Sequence, residues 1–170
     1  MTTENIGNDK SLNSSSDDEA KYQVLMERVR DVFTHKIPFN QVVGFRFNEL
    51  SRESCRISFE HKPELVGNFV HGMLHGGVTA TALDVVGGAM AAAGMMQKNI
   101  NASQEEIGKK LAKIGTIDLR VDYLRPGKGK SFYATARLLR SGNKVAVVRM
   151  ELHNDDDTLI ALGTGTYMAG

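Results

Sequence analysis

Apolar positions recur along the chain with two different periods, and the switches between them mark out its elements. From Lys21 to Lys36 the residues Tyr22, Val24, Leu25, Val29, Val32 and Phe33 fall at spacings of three, four and seven, which predicts an amphipathic helix closed by Pro38. Residues 41–50 and 54–61 read as strands. The second alternates clearly, with Cys55, Ile57 and Phe59 on one face. A loop containing Pro, Gly and Asn follows from Lys62 to Leu74. Val78 to Met96 is then a run of nineteen residues, rich in Ala, Val, Met and Gly, that predicts a helix buried on nearly every side. Residues 97–112 are polar and read as a loop with a short helical piece near Gln104–Leu111. Strands are expected at Lys113–Leu124, Ser131–Arg140, Lys144–His153 and Thr158–Met168, with turns at Ser141-Gly142-Asn143 and Asn154–Asp157.

The order is therefore one helix, two strands, a long buried helix and four strands. An apolar helix set between strand runs predicts an α+β architecture in which an antiparallel sheet wraps around the central helix, with an additional helix at the N-terminus. The 170 residues suit one domain, expected over 21–170. Residues 1–20 carry five acids, one base and almost nothing to bury, so a disordered tail is expected there.

Charge and cysteine content narrow the function. A net charge of +1 predicts no general attraction to nucleic acid or to a membrane surface. The central helix approaches the length of a membrane span, but it is too rich in glycine and too closely embedded between strands to be read as one. Cys55 is the single cysteine, which excludes an internal disulfide and a multi-cysteine metal site and fits a reducing, cytoplasmic setting. The first twenty residues have neither an apolar stretch nor an Arg-rich pattern, so neither a secretory signal nor a transit peptide is expected. No metal or cofactor is called for.

Asp84 is the one charge in the apolar helix. Desolvating a carboxylate there is costly, so it must be paired, protonated, or turned toward a cavity that holds water or ligand. A structural role, pairing with an Arg of the sheet or bonding nearby backbone, competes with a role as general base or nucleophile. Just upstream, His75-Gly76-Gly77 opens the helix with two residues that leave its first N–H groups bare. Such an end favours negative charge, including the oxyanion of a carbonyl under attack. Gly76 and Asp84 stand eight residues apart, about 12 Å of helix rise, too far for both to reach one carbonyl. If two central helices run antiparallel across a dimer, Gly76 of one copy faces Asp84 of the other. A homodimer with two shared sites follows.

At this point HGMLHGGVTATALD (71–84) resembles the His-Gly-Gly signature of hotdog-fold acyl-CoA thioesterases of the phenylacetic-acid-degradation and 4-hydroxybenzoyl-CoA thioesterase type. The resemblance runs from about Gln41 to Met168 and includes KIGTIDLRVDYLRPGK (113–128). It implies the hotdog fold, hydrolysis of an acyl-CoA to free acid and CoA, and dimers that often pair into tetramers. It also implies that Gly76 N–H holds the thioester oxygen, with His75 and Gly77 beside the substrate. Asp84 would then activate water or attack directly, and Thr116, at the start of the next strand, would hold the water or the carboxylate. Two positions depart from the pattern. The family's loop Asn or Gln lies six residues before the His, where this chain has Phe69, and Asn68 lies seven before. A Ser or Thr found in some members one turn after the acid is here Gly88.

Between Lys109 and Lys130 there are seven basic and two acidic residues. That local surplus suits a phosphate-rich ligand, with Arg125, Lys128 and Lys130 around the turn RPGKGK as contacts to the CoA phosphates. A non-catalytic acyl-CoA-binding or regulatory protein on the same fold, a hydratase and a purely structural oligomer stand as alternatives.

Overall fold

Eight strands and four helices make up residues 9–170, the part of the chain that the computed structural model describes. Helix α1 (Asp9–Asp31) leads into a π-helical turn (Val32–Lys36), and α2 (Pro38–Val43) precedes strands β1 (Arg46–Leu50) and β2 (Cys55–Glu60). A single 3-10 turn, Pro63–Leu65, and a small hairpin, β3 (Val66–Asn68) with β4 (Met73–Leu74), lead into the central helix α3 (Gly76–Lys98). Helix α4 (Gln104–Leu111) and strands β5 (Gly115–Tyr123), β6 (Ser131–Ser141), β7 (Val145–Asn154) and β8 (Leu159–Met168) complete it.

Six strands form one antiparallel sheet in the order β1-β2-β6-β7-β8-β5, and α3 lies in its concave face. This is the antiparallel sheet around an apolar helix that the pattern predicts, and the hotdog fold that the resemblance implies. Register carries the apolar face across the sheet. Ile57 pairs with Ala134, Ala134 with Leu152 and Leu152 with Ala161, all fully buried. Against this face α3 packs Ala82, Leu83, Val86, Ala89, Met90 and Ala93. Helix α3 is long and apolar enough to cross a membrane, yet 72% of that apolar window is buried inside the fold, where it serves as core.

Several boundaries differ from the sequence reading. Pro38 ends the first helical segment but also starts α2, occupying the first helical position, where its missing N–H has no intrahelical partner to lose. The first strand accordingly begins at Arg46, because Val42 and Val43 belong to α2. Helix α3 begins at Gly76, two residues before the expected Val78. Of the expected tail, residues 1–8 lie outside the described residues, and α1 spans Asp9–Asp31. Glu19 helps to dock that helix. It accepts hydrogen bonds from Gln23 and Arg52, which hold its carboxyl below the usual range.

Candidate active site

The start of α3 is held from three directions. His75 is the N-cap, and its Nδ1 accepts the Gly77 N–H at 2.9 Å. Its own N–H donates to the Leu65 carbonyl, and Leu74 N–H donates to the Gly127 carbonyl. Gly67 permits the close approach of β3, since a Cβ there would lie 2.6 Å from the His75 Cα. On the third side the Tyr123 hydroxyl donates to the Gly76 carbonyl at 2.8 Å. Among the described residues nothing accepts the Gly76 N–H, which sits on an exposed residue at the positive end of a 23-residue helix.

Two turns further on, Asp84 lies on the side of α3 that is not fully covered by the sheet. The Thr116 hydroxyl donates to Asp84 Oδ1 at 2.8 Å. A bulge in β5 between Thr116 and Asp118 breaks the pairing with β8 next to that side chain, a common device for re-aiming a residue beside a site. Beneath Asp84, the buried Tyr167 of β8 donates to its backbone carbonyl at 3.3 Å. Burial, reinforced by the neighbouring Asp84 charge, pushes the Tyr167 phenol well above its ordinary pKa, so it remains a donor across the working pH range. Gly87 makes this contact possible, because a Cβ there would run into the Tyr167 hydroxyl and lie 2.9 Å from Met150 Sδ. Asp84, Thr116 and Tyr167 share a groove of about 290 Å³.

The expected site residues thus sort into distinct positions. Asp84 and Thr116 meet, and the Gly76 N–H is available. Gly77 and His75, expected beside the substrate, form the helix cap, which engages the Gly77 N–H and the His75 Nδ1. Asn68, one position from the family's loop Asn or Gln, uses its Oδ1 to accept the Val70 and His71 N–H groups at 3.1 and 3.2 Å, closing the exposed loop between β3 and β4. The turn 125–130 stands close to the start of α3 through the Leu74–Gly127 bond. Arg125 and Lys128 are exposed, and Arg125 donates to the Leu159 carbonyl at 3.0 Å. Lys130 differs. Its N–H donates to Asp155 Oδ1 at 2.9 Å, and this bond together with the Lys130 charge holds the Asp155 carboxyl below its usual range. The acids Asp155–Asp157 therefore offset the basic surplus at that end of the turn.

Sequence reasoning missed Tyr123 and Tyr167, whose partners lie 47 and 83 residues away. A signal existed for the second. Gly163 and Gly165 share the inner face of β8 with Tyr167, and two side-chain-free positions beside an aromatic leave room for a ring to lie across the strand. No three His, Cys, Asp or Glu side chains gather as metal ligands among the described residues.

Comparison with known proteins gives the family. A sequence model of the Thioesterase superfamily matches residues 71–161, the stretch that runs from the loop before α3 into β8. The medium/long-chain acyl-CoA thioesterase YigI of Escherichia coli is 44% identical over 145 residues, covering 85% of this chain and 94% of that protein. A crystal structure of a Shewanella oneidensis protein related to the thioesterase superfamily superposes with a TM-score of 0.84 at 47% identity, covering 89% of this chain and 98% of the other. The E. coli PaaI protein of the phenylacetic acid degradation operon, at 16% identity and a TM-score of 0.68 over 89% of this chain and 94% of its own, shares the fold. The chain belongs to the Thioesterase superfamily and is a hotdog-fold enzyme of that family.

Proposed function

We propose that this protein hydrolyses acyl-CoA thioesters carrying medium or long acyl chains, with Asp84 as the catalytic carboxylate. The observation that carries the reading is the 2.8 Å bond from Thr116 to Asp84 Oδ1, at the edge of an apolar groove. It leaves Oδ2 of the carboxylate free to accept a proton from water or to attack the thioester carbon. As that carbon becomes tetrahedral, negative charge develops on its oxygen, and a backbone N–H fixed in advance lowers the barrier because no dipole has to reorganise. The Gly76 N–H is such a donor. Its distance along α3 from Asp84 favours a site shared between two copies of the chain, as a homodimer or a dimer of dimers. Arg125 and Lys128 are suited to the CoA phosphates. Likeness to the E. coli medium/long-chain enzyme supports the acyl class.

Purified protein assayed against acyl-CoAs of increasing chain length tests this reading. Asp84→Asn keeps the size of the side chain and removes its basicity, so the expected result is a kcat reduced by about 10³ or more, on the scale of general base and nucleophile losses. Near wild-type turnover in Asp84→Asn would remove Asp84 from the mechanism. The absence of turnover in the wild-type chain on every acyl-CoA would favour a protein that binds acyl-CoA without hydrolysing it.

A further inference from the structure

We infer that the segment joining α1 to β1 forms the wall of the acyl subsite and limits the length of acyl chain the protein grips to about ten carbons. The inference rests on the proposed function and extends it to specificity. The groove holding Asp84 is lined on its far side by Phe33, Ile37 and Phe39 from this segment, and on its near side by Val85, Gly88 and Ile114. Its one carboxylate sits beside Thr116, and a thioester placed for attack has apolar space next to it along these side chains.

The wall is built rather than incidental. A π-helical turn ends α1, and such turns leave carbonyls without their normal intrahelical donors. Here the buried Asn40 donates its amide to the Phe33 carbonyl at 2.7 Å, and Gln41 donates to the His35 carbonyl at 2.6 Å. Phe33 is further held against Phe47, edge to face, with centroids 6.1 Å apart. Its aromatic edge approaches α3 at Gly88. A Cβ on Gly88 would rest 3.5 Å from Phe33 Cε1, an ordinary contact, so the missing side chain there is space in the groove and not a requirement of packing. Phe39, 57% exposed, stands at the rim.

The volume sets the length. The groove encloses about 290 Å³. If a methylene occupies about the share of a liquid water molecule, about 30 Å³, the space holds on the order of ten carbons. Each methylene buried within it should tighten binding by up to about fourfold, and methylenes beyond the rim should add little.

Calorimetric titration with hydrolysis-resistant S-hexyl-, S-decyl- and S-tetradecyl-CoA thioethers tests the subsite without requiring turnover, and chain-length profiles of kcat/KM are measured in parallel. The expected pattern is a steep gain in affinity from hexyl to decyl and a plateau from decyl to tetradecyl. Gly88→Ala fills part of the groove without a clash and should lower the ratio of decyl to hexyl affinity by about tenfold. Phe39→Ala, at an exposed rim position, should lower it as well. Affinity that climbs by the same factor through tetradecyl, or a Gly88→Ala change that is equal at every length, overturns the inference. Failure of turnover with this affinity pattern intact removes the proposed function and leaves the subsite standing.

Discussion

Replacing Thr116 by Val removes one hydrogen bond while leaving a β-branched side chain on the same exposed strand position, so it isolates what that bond does for Asp84. The hydroxyl donates to a carboxylate at 2.8 Å, and hydrogen bonds to charged groups contribute about 1.5–3 kcal/mol. Thr116 is exposed, which favours the lower end in the free protein. A bound substrate that expels water from the groove moves the value upward. At about 1.4 kcal/mol per decade, the expected loss in kcat is about 10-fold to 100-fold. KM should change little, because the bond orients the base rather than holding substrate. Steady-state kinetics on the best acyl-CoA, with thermal unfolding as a check on the fold, reads this directly. Thr116→Ser keeps the hydroxyl and should recover most of the loss. A Thr116→Val enzyme whose kcat stays within about twofold of wild type would refute the orienting role and leave Thr116 as ordinary strand filler.

Two further changes separate the site from its surroundings. Gly87→Ala, one residue before the permissive Gly88, should cost about 1–3 kcal/mol in urea unfolding because its Cβ meets the Tyr167 hydroxyl and Met150 Sδ; unchanged stability would show that Tyr167 moves freely beneath Asp84. Arg125→Ala combined with Lys128→Ala should raise KM for acyl-CoA severalfold with little change in kcat, and the effect should shrink at high salt. An unchanged KM would take the turn 125–130 out of CoA recognition.

Much of the fold was legible in the sequence because it rests on periods that survive folding unchanged. The alternation of Cys55, Ile57 and Phe59 and the unbroken apolar run around Asp84 each have one economical reading, a half-buried strand and an enclosed helix. Asp84 stood out for the same reason: a lone charge where every neighbour is apolar must have a local solution. What stayed hidden depends on contacts across long stretches of chain. Nothing near Tyr123 in the sequence points to the Gly76 carbonyl, and the basic turn gives no sign that Asp155–Asp157 fold back beside Lys130. The stretch Gln41–Val43 differs from its expected strand because its apolar residues fit a strand only locally. Its helical path is fixed by Asn40 and Gln41 bonding carbonyls freed at the π-helical turn. α4 carried a signal that was overlooked, the Ser103–Glu106 capping box, in which each side chain bonds the other residue's N–H.

Strand β5 touches α3 at both ends of the proposed chemistry, Thr116 at Asp84 and Tyr123 at Gly76. If the sites are shared, those two contacts on one strand serve two different sites. Each site would then take its acid and acyl wall from one protomer, and its oxyanion N–H and CoA-binding turn from the other. Complementation decides this. Gly76→Pro removes the N–H at the first helical position, where proline is well tolerated. His75 already has φ −63° and ψ 136°, the extended geometry that a following proline requires. The nearest atoms to a Cβ at position 76 belong to the Tyr123 side chain, at 3.5 Å, an ordinary contact. Homodimers of Gly76→Pro and of Asp84→Asn should both be nearly inactive. In a mixed dimer with shared sites, one site carries both lesions and the other carries neither. Random reassortment of equal amounts makes half the dimers mixed, each with one intact site, so the mixture should recover about a quarter of wild-type activity. Sites contained within single chains predict no recovery, because every site in every dimer then carries one lesion.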